Sequence, residues 1–139
     1  MANKYLGFPV TLGTYNGSTY DTIAGVRDID GPGLSRDTVE VSSRSSTNRW
    51  REFLAGMIDG GEVSFDIVYD PAETTHKNAS TGLLALQVSG AATMFRMGLP
   101  ASVNWDFTAI VTKFQPTAPL EDALTASITF KITGQPTLA

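Results

Sequence analysis

The segment Leu124 to Thr133, LTASITFKIT, alternates without a break. Leu124, Ala126, Ile128, Phe130 and Ile132 fall on one side of an extended chain, and Thr125, Ser127, Thr129, Lys131 and Thr133 on the other, because successive side chains of a strand point to opposite faces. Such a strand belongs in a sheet with one dry face and one hydroxyl-rich wet face, which is an antiparallel pattern. Glu62 to Asp70 repeats it, with Val63, Phe65, Ile67 and Tyr69 together. Trp105 to Phe114 does so too, with Trp105, Phe107, Ala109 and Val111 on one face. Three such strands predict a mainly β fold, an antiparallel sandwich or half-barrel. Weaker strands are expected at Thr19 to Ile29, Thr38 to Ser42 and Ala92 to Leu99. Gly25 inside the first marks a bulge or a close backbone approach. Asp30 to Gly33, DGPG, reads as a turn, since Pro fixes φ and glycine permits positive φ.

One helix is expected between Pro71 and Val88. Asp70 suits the N-cap, Pro71 the first helical position and Glu73 the third. Ala79, Leu83, Leu84, Leu86 and Val88 form its apolar stripe, and Gly90 closes it. No repeat or linker divides the chain, so residues 1–139 read as a single domain. Its core is expected over 17–134, with a long loop at 42–61 and a mobile tail at 135–139.

The chain has no cysteine, which excludes disulfide scaffolds, thiolate zinc sites and cysteine nucleophiles. Apolar residues at 42% against 17% charged argue for a folded core. A net charge of −4 disfavours a nucleic-acid-binding surface. No apolar run approaches the ~18 residues of a membrane span, and MANKYLGFPV has no signal-type apolar region. Synthesis in a cytoplasm and no membrane insertion are the expectation.

Catalytic motifs are weak. His76 is the sole histidine, and Asp70 and Glu73 nearby would not complete a usual zinc ligand set. It reads as a surface or helix-start residue with a structural hydrogen bond. Asp21, Asp28 and Asp30 read as solvated strand-end acids, with Asp28 and Asp30 on one face by the period of two. GPG and DGG lack the lysine of a phosphate loop, and GLS at Gly33 to Ser35 lacks the second glycine of a nucleophile elbow. No metal, cofactor or catalytic residue is expected.

The most unusual stretch is Ser42 to Gly61, a long loop rich in bulky groups. Long loops in compact domains are uncommon unless they serve a function. Arg44, Asn48, Arg49, Trp50, Arg51, Phe53, Leu54 and Met57 lie in it. Trp50, Phe53, Leu54 and Met57 recur at i, i+3, i+4 and i+7, the spacing of a short amphipathic helical turn at about Arg49 to Ala55. Apolar groups with arginine favour a protein interface here, over packing in the chain's own core and over stacking on single-stranded nucleic acid.

The ordered set of motifs resembles the major tail tube proteins of long, non-contractile bacteriophage tails. It comprises IAGVRDIDGPGL at Ile23 to Leu34, VEVSS at Val39 to Ser43 and WREFLAGMID at Trp50 to Asp59. GEVSFDIVY at Gly61 to Tyr69, TH at Thr75 and His76, FTAIVTKF at Phe107 to Phe114 and ASITFKITGQP at Ala126 to Pro136 complete it. The resemblance implies a β-sandwich or half-barrel flanked by one helix, with six copies closing into a ring and rings stacking into a tube. It implies a structural virion protein whose lumen passes DNA without specific binding, assembled in the host bacterial cytoplasm. The partners implied are the protein itself, a tape-measure protein, and tail terminator and tail-tip proteins. The loop at 42–61 would then be the inter-ring contact. The alternative from another class is a monomeric β-sandwich module for carbohydrate binding or adhesion, using Trp50 or Trp105 as a stacking platform.

Overall fold

The computed structural model of the chain describes residues 4, 6, 7, 9–78 and 82–138. Ala79 of the expected helix stripe and Ala139 of the expected tail lie outside them. The alternating segments become strands with alternating burial. In chain order the strands are β1 (Thr11–Tyr15), β2 (Tyr20–Thr22), β3 (Val26–Asp30), β4 (Ser35–Glu40) and β5 (Phe53–Asp59). They continue with β6 (Glu62–Val68), β7 (Thr93–Leu99), β8 (Val103–Thr117) and β9 (Thr125–Leu138), with one helix, α1 (Leu83–Ser89), between β6 and β7. Seven strands form one antiparallel sheet in the order β2-β1-β7-β8-β9-β6-β3, while β4 and β5 pair apart from it as a separate hairpin.

The core lies on one face of the seven-stranded sheet. Val63, Phe65 and Ile67 of β6 are buried while the residues between them are exposed. Opposite them on β9, Ala126, Ile128, Phe130 and Ile132 are buried in the expected alternation. Phe130 stacks on Phe95 of β7 at 4.1 Å between ring centroids and meets Phe65 edge-on at 5.1 Å. Leu83 and Leu86 of α1, which packs against β8, complete the cluster. Each fully buried side chain of this size contributes about 1.5–3 kcal/mol. On β8, Phe107, Ala109 and Val111 face the core. A bulge between Val111 and Lys113 then shifts the alternation by one, bringing Phe114 back to the same side against Tyr69. Trp105 packs partly buried against the core.

Several expectations are corrected. The helix does not run from Pro71. Asp70 instead accepts a hydrogen bond from the Ala72 amide in a tight turn, and the helix begins at Leu83. Its first amides find carbonyls in place of a side-chain cap: Leu83 N–H donates to Thr75 and Leu84 N–H to His76. Tertiary hydrogen bonding overrides the local capping signal, though the helix does end at Gly90. The sheet begins before Gly17, since β1 carries the fully buried Leu12 into the core. Thr19 to Ile29 is two strands, β2 and β3. At the break, Gly25 has φ +70° and its Cα side lies so near Val68 that a Cβ would come 2.9 Å from the Val68 carbonyl oxygen. That is the close approach expected there. A bulge between Val26 and Ile29 interrupts β3, and Asp28 and Asp30 lie exposed on either side of the half-buried Ile29. Residues 135–138 are not a loose tail. They extend β9, with Thr137 opposite Asp106 and Leu138 opposite Trp105.

His76 is buried rather than on the surface, and its structural hydrogen bonds are present. Nδ1 accepts from the Asp70 amide at 3.2 Å, so Nε2 carries the proton and donates to the Ala24 carbonyl at 2.6 Å. Thr75 Oγ1 accepts from the Ala24 amide. The TH pair therefore pins the 70–77 turn to the β2–β3 connection.

Candidate assembly surfaces

The stretch expected to be a loop at 42–61 is the greater part of a hairpin arm. Ser35 pairs with Asp59, Val39 with Leu54 and Glu40 with Phe53. Past the strands, Val41 N–H donates to the Glu52 carbonyl and Ser42 Oγ accepts from the Glu52 amide. Ser46 Oγ donates to the Glu52 carboxylate at 3.0 Å and accepts from the Ser43 amide. The tip is thus held by serines, which hydrogen-bond readily to nearby backbone. It turns through one short 3-10 turn at Thr47–Arg49, where Asn48 and Arg49 have φ of 54° and 65°. Asn tolerates that conformation; Arg adopts it rarely.

All eight predicted interface residues are exposed and all lie on this arm. Arg44, Asn48, Arg49, Trp50 and Arg51 form the tip, and Phe53, Leu54 and Met57 lie on β5. Their expected helical stripe is not formed. In a strand, neighbours such as Phe53 and Leu54 face opposite sides, so the apolar groups are spread over both faces of the arm. The spacing at i, i+3, i+4 and i+7 also fits a strand with a bulge, and the register between β4 and β5 does shift between Arg36 and Thr38. Trp50 is 74% exposed and Met57 85%, with Val39 and Ile58 also uncovered.

The arm joins the sheet through Gly60 and Gly61. Gly61 has φ +75° and approaches the Gly33 carbonyl too closely for any Cβ. Gly61 N–H donates to Asp59 Oδ1 at 2.9 Å, and Lys131 Nζ lies 3.4 Å from the same carboxylate. Those two contacts, the amide first, hold the Asp59 carboxyl below the usual carboxylate range. Beneath the arm lies an open groove of ≈ 900 Å³, lined by Leu34, Met57, Ile58, Ile132, Pro136 and Leu138 among others. Nothing in the expectation of a loose tail signalled this groove, because it needs the extension of β9.

Two other surfaces matter. Among the described residues the sheet ends at β2 and β3 with no further strand paired to them, and such edges offer backbone groups to a neighbour. On the sheet's polar face, Arg96 of β7 grips Asp106 of β8 through Nε at 2.6 Å and a terminal nitrogen at 3.0 Å. Its guanidinium lies 4.2 Å from the centre of the Tyr20 ring on β2. Burial and the Asp106 charge push the Tyr20 phenol up. This cluster spans four strands and was not anticipated, since its members are far apart in sequence. Among the described residues there is no grouping of three or more His, Asp or Glu side chains able to hold a metal ion, and no helix long and apolar enough to cross a membrane.

The model of the lambda phage tail tube protein family matches residues 12–139. No curated protein sequence matches the chain. Among solved structures, the tail of an empty gene transfer agent particle, refined with C6 symmetry, contains a similar chain. It is 20% identical, with 98% of this chain and 99% of that one covered and a TM-score of 0.77. The sheath–tube complex of an extracellular contractile injection system is 12% identical over 98% of this chain and 93% of that one, with a TM-score of 0.71. The SPP1 tail tube is 12% identical over 98% and 80%, with a TM-score of 0.68. At these identities the structures establish a shared fold, and they leave the carbohydrate-binding alternative without support. The match over residues 12–139 establishes the rest: the chain belongs to the lambda phage tail tube protein family, and its role is a structural one in the virion's tail tube, with no catalytic step.

Proposed function

We propose that copies of this chain close side by side into a ring, six to a turn, and that rings stack through the β4–β5 arm to form a DNA conduit. The observation that carries the reading is the arm itself. It exposes Trp50, Phe53, Leu54, Met57 and Ile58 and buries none of its strand residues, so its apolar surface is left for a neighbour. The edges at β2 and β3 suit lateral closure, because joining edges into a ring satisfies their backbone groups. The C6 symmetry of the gene transfer agent tail supports six as the count. Arg44, Asn48, Arg49, Trp50, Arg51, Phe53, Leu54 and Met57 form the inter-ring contact in this reading. A net charge of −4 per chain keeps DNA from adhering to the wall.

The partners are first the protein itself, then the proteins that begin and end the tube. Solved neighbours come from a sheath/tube terminator, a baseplate and a tube-terminating cap, which supports terminator and tail-tip partners here. A tape-measure protein inside the lumen completes the set. The whole chain, residues 1–139, acts as one tube domain.

Negative-stain electron microscopy of the purified protein at rising concentration tests this. Rings and stain-filled tubes are expected. Uniform monomers at the highest concentration, with the fold intact by circular dichroism, would contradict self-driven stacking.

A further inference from the structure

The arm needs an acceptor, and the molecule carries a complementary feature at its far end. The turn joining β8 to β9 exposes Leu120 at 99%, and Glu121 and Asp122 follow it, also exposed. Residues 117–124 contain these two carboxylates and no cation. The arm tip, residues 41–52, holds Arg44, Arg49 and Arg51 against Glu52 alone, and Glu52 is already engaged by Ser46. Among the described residues the ion pairs are Arg96 with Asp106 and Lys131 with Asp59, so neither the tip arginines nor the turn carboxylates are paired within the chain.

Strand register places the root of the arm and the β8–β9 turn at opposite ends of β6. Glu62, where the arm rejoins the sheet, lies opposite Lys131, whereas Val68 at the other end of β6 lies opposite Thr125, just after the turn. A surface on one end that complements the other end makes a head-to-tail contact, and such contacts propagate into a filament rather than closing a pair. Contacts between like ends are disfavoured: arm against arm brings arginines together, and turn against turn brings carboxylates together.

We infer that the β8–β9 turn, Leu120 with Glu121 and Asp122, is the acceptor for the arm tip of a second copy in the adjoining ring. Leu120 packs against Trp50, and Arg49 and Arg51 meet the two carboxylates. Exposed ion pairs add little affinity, so the apolar contact supplies most of the attraction while the charges set polarity. This assignment rests on the stacked-ring reading.

Absence of native cysteine makes a clean cross-linking test possible. Thr47→Cys and Ala123→Cys, exposed positions beside the contact that leave Trp50, Leu120 and the charged groups in place, are prepared as separate proteins of different mass, mixed under assembly conditions, oxidised and run without reductant, with electron microscopy in parallel. The expected result is a mixed dimer in large excess over either like pair. Glu121→Lys with Asp122→Lys shortens tubes, and adding Arg49→Glu with Arg51→Glu restores them. Normal tubes without the mixed dimer overturn the acceptor assignment and leave ring stacking standing. The same holds if Ala123→Cys cross-links instead to Met57→Cys in the groove beneath the arm. No assembled particles from the unsubstituted protein at any concentration, with its fold intact, overturn both readings.

Discussion

β6 and β5 are consecutive seven-residue strands joined by two glycines, yet they live in different environments. β6 buries every second residue against a packed core. β5 leaves six of its seven residues exposed, with Gly56 only half-buried. Both carry bulky apolar groups, so hydrophobic content does not separate them. What separates them is where a second apolar layer exists. The seven-stranded sheet supplies its own, from β9, β7 and α1, and is stable as a consequence. The arm has a hydrogen-bonded partner in β4 but no layer to pack on, and a two-stranded hairpin alone is marginal in water. Strands that make the core and strands that leave their apolar groups exposed can thus be told apart by what lies across from them.

The comparison breaks most sharply in the core. Phe130→Ala removes a fully buried ring stacked on Phe95 and should cost about 3–5 kcal/mol, read as a lowered midpoint in urea unfolding of the monomer. His76→Ala leaves the Asp70 amide and Ala24 carbonyl without their partner and should cost about 2–3 kcal/mol by the same measurement. A loss near zero would show that the 70–77 turn does not depend on this histidine.

Gly61→Ala acts at the junction of the two regions. The strained φ and the clash with Gly33 should cost about 1–3 kcal/mol, and amide exchange should quicken in the arm more than in β9. Uniform quickening would mean that arm and sheet unfold as one unit. Trp50→Ser with Phe53→Ser should shift monomer stability by no more than about 0.5 kcal/mol while abolishing tubes, because both side chains lie exposed. Tubes of normal length from this variant would remove the arm from the inter-ring contact.

The smallest effect concerns pH. Asp59 has its carboxyl pKa depressed in the folded state, first by the Gly61 amide and then by Lys131. Its contribution is therefore present above the unfolded carboxylate pKa of about 3.9 and is lost as pH falls through the lower folded value. Amide exchange at Gly61 should rise in that acid range, and Asp59→Asn should flatten the dependence. An unchanged profile in the variant would assign the acid response to another group.

Much of the sheet was legible because alternation is a local property. Leu124 to Thr133, Glu62 to Asp70 and Trp105 to Phe114 each display their buried face within ten residues, and each is a core strand. The residues of the candidate surface were legible as well, since arginine and exposed aromatic groups in one polar stretch are visible without coordinates. Their conformation was not. Trp50, Phe53, Leu54 and Met57 fit a helical turn by spacing, but Trp50 lies in the tip turn, and pairing of Phe53 to Ala55 with Thr38 to Glu40 decided for strand from Phe53 onward. That pairing joins residues far apart along the chain, which no window of spacing reports. The helix start failed for the same reason. Asp70 and Pro71 form a sound local cap, but carbonyls of Thr75 and His76 captured the amides of Leu83 and Leu84 and set the helix there.

Sequence alone thus determined which residues alternate, hence the β class and the core face of three strands, and drew attention to the bulky residues from Arg44 to Met57 that the fold leaves exposed. Tertiary structure alone decided the seven-strand order, the arm, the extension of β9 to Leu138 and the placing of the β8–β9 turn at the end of β6 away from the root of the arm. The physical reason is one of range. Side-chain alternation is set by the pleat of a single strand, whereas register and position are set by hydrogen bonds between strands that the chain brings together only on folding.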